Sequence, residues 1–233
     1  MSKRRKFGST TINEGIIADH VQAEVMAVGR GARASRVLSD DEENTRIHIL
    51  FLAADPTDAS RLRLGEELRE IQEKLQLARS RERFELHQRM SVRPADISQA
   101  LLDTQPQIVH FSGHGTASGE LCFENASGEI HPIAPGALAA LFEQFADQVD
   151  CVVLNACFSE AQARAISQHI HYVISMSEAF GDRAAIAFAS GFYQAVGAGR
   201  TIEDAYQLGC VQIRLQDMSE YLTPILMRRG QAK

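Results

Sequence analysis

Two segments of the chain end in residues capable of covalent chemistry. Val109-His-Phe-Ser-Gly-His-Gly115 closes on His114, a histidine between two glycines, and Val152-Val-Leu-Asn-Ala-Cys-Phe-Ser159 carries Cys157 just beyond an apolar stretch. A histidine flanked by glycine can approach a neighbour closely. A cysteine that follows a buried strand and precedes a helix stands near the helix N-terminus, where free amides and the helix dipole stabilise a thiolate. If the two strands are neighbours, His114 and Cys157 share one sheet edge, the arrangement of a thiol nucleophile and its general base. Taken singly, each has an ordinary reading: a strand-end cysteine packs, and a loop histidine is solvated. Their joint occurrence at two strand ends is what favours chemistry.

Other reactive types carry less. His110 and His114 are spaced as a metal pair could be, but strand alternation turns them apart and no Cys or Asp stands at ligand spacing, so no metal is expected there. Ser112 lacks the Gly-x-Ser-x-Gly elbow of a serine hydrolase. Cys122, Cys151 and Cys210 read as packing thiols.

Parallel strands joined by helices must position such a pair. The near-continuous apolar run Ile47–Ala54 reads as a strand buried on both faces. Leu64, Leu68, Ile71 and Leu75 line one face of a helix over about Arg61–Ala78. Phe84 to Val92 suggests a second strand, Pro94 to Leu102 a short helix, Gln107–Phe111 a third strand, and Glu120–Ile133 a hairpin around Asn125-Ala-Ser-Gly128. Helices over Ala137–Phe145, Ala161–His169, Ala184–Val196 and Ile202–Leu215 surround strands at Cys151–Leu154 and Tyr172–Met176. This alternation predicts an α/β fold, a mostly parallel sheet covered by helices on both faces. Ligands of such a sheet sit beyond the carboxyl ends of its strands. Ala53-Ala-Asp-Pro56 stands where a flavodoxin-like nucleotide binder would need a glycine-rich loop.

Composition bounds the rest. The chain has 233 residues, 45% hydrophobic and 23% charged, as a globular protein has. Its longest uncharged run, Ala184–Gly199, is too short and polar to span a bilayer, and the basic start Met1–Lys6 has no apolar core after it. A cytoplasmic protein with no membrane partner is therefore expected. A net charge of −6 argues against nucleic acid as the partner of the domain. Residues 1–45 read as a flexible tail: basic residues at 3–6 and 30–36, one weak strand around Val21–Val28, and an acidic linker at Asp40–Glu43. The folded domain is assigned to 46–233.

The two blocks around His114 and Cys157, with Tyr172–Phe188 and Gly191-Phe-Tyr193, resemble the caspase-like cysteine peptidases, specifically the bacterial CHAT group related to separase. The resemblance covers roughly Arg46 to Leu215 and implies a caspase-like three-layer sandwich. It implies a cysteine endopeptidase with a His114–Cys157 dyad, the backbone amides of Gly115 and Cys157 as oxyanion hole, and no cofactor. A side chain at residue 115 would crowd the incoming carbonyl. Phe158-Ser159 replaces the Arg-Gly pair that follows the caspase cysteine, so cleavage after Asp is not implied.

In separase-like relatives an acidic residue near Glu178 binds the basic side chain before the cut. Glu178 or Asp182 could do so here, unless Asp182 is only a helix cap. The competing pocket is apolar, built from Met176, Phe180 and Phe158. A basic-specific enzyme could also clip its own Gly29–Ala34 stretch. Bacterial relatives act in defence or regulated cell death, usually with fused sensors, so a protein substrate and an activating partner are expected. The alternative reading is a catalytically silent adaptor of the same fold.

Overall fold

The computed structural model describes residues 46–230. The reading of 1–45 as a flexible tail lies outside the described residues.

Strands β1 (Ile47–Ala53), β2 (Phe84–Arg89), β3 (Ile108–Ser112), β7 (Cys151–Asn155), β8 (Tyr172–Met176) and β9 (Pro224–Arg228) form one sheet in the order β2-β1-β3-β7-β8-β9. Its first five strands are parallel, and β9 closes the edge antiparallel to β8. A second, three-stranded sheet joins β4 (His114–Gly115), β5 (Leu121–Glu124) and β6 (Ile130–Ile133). The last two are the expected hairpin, and the first holds His114.

The apolar strands need cover on both sides because alternate side chains point to opposite faces. On β1, Leu50 and Leu52 join one core, and Ile49, Phe51 and Ala53 join the other. The first core is closed by α2 (Pro94–Thr104), α3 (Pro135–Glu143) and α4 (Glu160–Ile166). The second is closed by α1 (Leu64–Gln76), α5 (Asp182–Gly197) and α6 (Ile202–Leu215). This is the three-layer α/β arrangement expected from the alternation.

Two features depart from the sequence reading. Strand β9 was not foreseen, because Pro224 at its start masks a short edge strand. Helix α1 begins at Leu64, not near Arg61, which leaves Ser60 and its neighbours as a loop. Among the described residues no helix is long and apolar enough to cross a membrane.

Candidate active site

Strands β3 and β7 are adjacent and in register, with Ser112 opposite Asn155. The chains leaving their carboxyl ends therefore emerge side by side. His114 and Cys157 line the same narrow cleft, about 390 Å³ with its open mouth included, together with Glu67, Ser112, Asn155, Phe180 and Asp182.

The loops approach at backbone distance. A Cβ on Gly115 would lie 1.8 Å from the Cys157 carbonyl oxygen. Glycine is required because the Cys157 backbone occupies that space, before any substrate does. Phe158, next in the chain, has φ of +53°, the left-handed region that a residue with Cβ rarely adopts. That sharp bend turns the chain from β7 into α4, and the Phe158 amide donates to the Glu178 carbonyl across the cleft rim, 3.2 Å.

Both candidate reactive side chains are half-buried and held by backbone groups. The His114 Nε2 lies 2.7 Å from the Ser60 carbonyl oxygen. A carbonyl only accepts, so Nε2 carries the proton and donates. In the neutral ring the Nδ1 lone pair is then free to take a proton. The Cys157 Sγ accepts from the Phe180 amide, 3.2 Å, and its thiol reaches the Phe180 carbonyl at 3.6 Å. The sulfur's amide partner thus comes from the loop before α5. The expected donor, the start of α4, begins only at Glu160. Cys122, Cys151 and Cys210 lie elsewhere, and burial foremost pushes each of their thiols up from the ordinary range.

Beneath the cleft lies a buried polar cluster. Glu67, 2% exposed on α1, accepts from His110 Nε2 (2.7 Å), Ser112 Oγ (2.5 Å) and Asn155 Nδ2 (2.6 Å). The Tyr193 hydroxyl bonds His110 Nδ1 at 3.1 Å. A carboxylate removed from water needs such donors, since burying it unpaired is prohibitively unfavourable. Ser112 and Asn155 stand at the ends of β3 and β7, so one side chain ties together the strands that present His114 and Cys157. His110 is spent in this cluster, and it shares no ligand set with His114.

The candidate specificity residues separate. Asp182 lines the cleft and is half-buried. It is the first residue of α5, whose cap is Gly181 and has no side-chain cap bond, so it is not the cap itself. The Asn155 Oδ1, also buried in the cleft wall, has no hydrogen-bond partner among the described residues. Glu178 is exposed and does not line the cleft. Met176 is fully buried in the second core, because its position on β8 faces the packed helices, and it offers no surface to a ligand. Phe158 is 38% exposed at the rim. Sequence reasoning missed Ser60, Glu67 and Asn155. Of these only Glu67 left a signal, an acidic residue beside the apolar stripe of α1.

Comparison with known proteins follows this geometry. Among solved structures, caspase-1 from Spodoptera frugiperda superposes with a TM-score of 0.55 at 12% identity, covering 80% of this chain and 87% of that one. The Arg-specific cysteine proteinase gingipain R also gives 0.55, at 10% identity, covering 79% of this chain and 46% of that one. These likenesses establish a caspase-like fold. A "Roc-COR-CHAT protease" from an unidentified prokaryote is 30% identical over 183 residues, 72% of this chain and 17% of that protein. A "Probable protease" of Gillisia limnaea (strain DSM 15749 / LMG 21470 / R-8282) is 25% identical over 147 residues, 62% of this chain and 26% of that protein. The chain thus spans about a quarter or less of the length of these relatives. The CHAT domain model matches residues 17–221. That match takes in both blocks and every strand of the larger sheet but β9, and the chain belongs to the CHAT domain family.

Proposed function

We propose that the chain is a cysteine endopeptidase in which Cys157 is the nucleophile and His114 the general acid–base. The observation that carries the reading is the convergence of both side chains on one cleft, with His114 Nε2 donating to Ser60 and Nδ1 left as the base. The protease names of the curated relatives agree with it.

In the first step Cys157 Sγ attacks the scissile carbonyl while its proton passes to His114 Nδ1. The amides of Gly115 and Cys157 receive the developing oxyanion. As the tetrahedral intermediate collapses, His114 returns the proton to the departing amine and a thioester remains. Water, deprotonated by His114, then releases the acid and restores the thiol.

The polar groups at the cleft favour a basic side chain before the cut. Asp182 supplies a carboxylate and Asn155 Oδ1 a further acceptor, while Glu178 stays outside the cleft. In this reading the enzyme cleaves a target protein in a bacterial defence or regulated-death pathway, under the control of an activating partner.

The test is proteomic cleavage profiling with Cys157→Ala and His114→Ala controls. Each substitution is expected to lower kcat at least ~1,000-fold, since members of a nucleophile–base pair act as a unit. Tm should hold, because both side chains line a cleft. Iodoacetamide should label Cys157 ahead of the three other thiols. Cleavage that survives in Cys157→Ala would refute the mechanism.

A further inference from the structure

At the other edge of the sheet stands a cluster that the peptidase reading does not use. β1 and β2 pair in parallel with His48 opposite Glu85 and Leu50 opposite His87. Period-two alternation puts Glu85 and His87 on the same side of β2, facing His48. The His48 Nδ1 and His87 Nε2 are 3.1 Å apart, Glu85 Oε1 is 3.6 Å from His87 Nε2, and Glu85 Oε2 is 4.0 Å from His48 Nδ1.

We propose that His48, Glu85 and His87 bind a zinc-class divalent cation, with a fourth position open to water or to a donor from a partner. Two ligands about 2.05 Å from a tetrahedral ion lie about 3.3 Å from each other. The three observed separations bracket that edge. Imidazole nitrogens with one carboxylate select zinc and its neighbours over magnesium or calcium, which demand oxygen.

The scaffold is rigid where it must be. Ile47, Phe84 and Leu86, which alternate with the three ligands, pack against the second core. The His48 amide is further fixed by donation to Gln107 Oε1 at 2.8 Å. The ligand side chains are half-buried, 32%, 41% and 24% exposed, so an ion could enter from solvent. Without metal, the two rings lie within 7° of parallel with centroids 5.4 Å apart. That excess over the nitrogen separation is two ring radii, so the nitrogens meet head to head and share one proton in an N–H···N bond. The ion displaces that proton, the ring regains one from solvent on its other nitrogen and so stays a neutral ligand, and one ring turns about its Cβ–Cγ bond to open the angle. The Arg46 guanidinium on Glu85, 3.3 Å, is the competing cation. It is 63% exposed, and such surface pairs are weak.

The test uses the full chain in a Cys157→Ala background, stripped with EDTA, so that the cleft thiol cannot contribute. Zinc titration against a chromophoric chelator should give one ion per chain with micromolar or tighter affinity. At about 100-fold excess over the dissociation constant, Tm should rise by about 5–10 °C. His48→Gln and His87→Gln should each weaken binding at least ~10-fold, with metal-free Tm reporting that both remain folded. Cobalt(II) should show d–d bands without a sulfur charge-transfer band. Absence of zinc binding up to roughly 100 μM, affinity unchanged in both variants, or a thiolate band would overturn the proposal.

Discussion

The two faces of the sheet are packed by different chemistry. On the face covered by α2, α3 and α4, buried polar side chains donate to backbone carbonyls and not to one another: Thr104 to Ala100, Ser159 to Leu154, Gln162 to Ile133. The remaining core there is aliphatic and aromatic. On the face covered by α1, α5 and α6, an equally apolar core is interrupted at one place by the side-chain network of Glu67, His110, Ser112, Asn155 and Tyr193. That place is directly under the cleft. An apolar replacement of similar volume would serve stability as well or better. The network instead fixes direction: hydrogen bonds have angles, and apolar contacts do not. The first face thus holds the fold, and the second also orients the strand ends that lead to the candidate pair, His114 and Cys157.

The largest expected effect breaks that contrast most directly. Glu67→Ala strands three buried donors and should lower stability by about 3–5 kcal/mol, with activity lost even at temperatures where the protein stays folded. Its partner experiment is Leu101→Ala on the opposite face, where the side chain is fully buried. The cavity there should take about 2–4 kcal/mol from stability yet leave kcat of the folded protein within about twofold. Denaturant melts paired with turnover measure both. If the two variants lose activity in equal proportion to stability, the orienting role of the second face is wrong.

The same contrast explains what could be read from the chain alone. Apolar periodicity located β1, β3, β7, β8 and α6 nearly to the residue, and α1 and α5 with ends shifted by up to a turn, because hydrophobic burial is written as local pattern. The pairing of His114 with Cys157 followed from two adjacent strand ends. The role of Glu67 was not legible beyond its place beside the α1 stripe, since its donors lie 43, 45 and 88 residues away in sequence. The Ser60 carbonyl on His114 was not legible either, because any residue supplies a carbonyl and only the fold aims it. Glu178 drew attention over Asp182 by lying just past β8, but the Phe158–Glu178 backbone bond leaves the Glu178 side chain outside the cleft, and α5 begins with Asp182 facing in.

A smaller effect sharpens the comparison at the cleft itself. Asp182 is half-exposed and belongs to neither core, so Asp182→Asn should leave Tm unchanged. If the carboxylate receives a basic side chain, the loss of a charge-assisted hydrogen bond should reduce the preference for Arg or Lys before the cut by about 1.5–3 kcal/mol, roughly ten- to a hundredfold in relative kcat/KM. Peptide libraries with matched basic and leucine positions measure this. A preference for leucine that the substitution does not alter would point to the rim around Phe158 and Phe180 instead.

The smallest effect tests how the network is wired. A carboxylate accepts only, so Glu67 must accept a hydrogen bond from a protonated His110 Nε2. That leaves Nδ1 to accept from the Tyr193 hydroxyl, and the phenol is suited to donate: burial foremost, with Cys151 and the Glu67 charge nearby, pushes its pKa well up and keeps the proton on oxygen. Tyr193→Phe removes that one donor and keeps the ring that fills the core, so it should lower stability by about 1 kcal/mol, well short of Glu67→Ala. Nitrogen NMR of the His110 ring should find Nε2 protonated and Nδ1 bare in both proteins, since the Glu67 bond alone sets the tautomer. Turnover should fall less than about threefold, because Ser112 and Asn155 still anchor both strand ends to Glu67. A proton found on Nδ1 in Tyr193→Phe would mean that the hydroxyl, not the carboxylate, decides which nitrogen donates, and the second face would then be organised from α5 and not from α1.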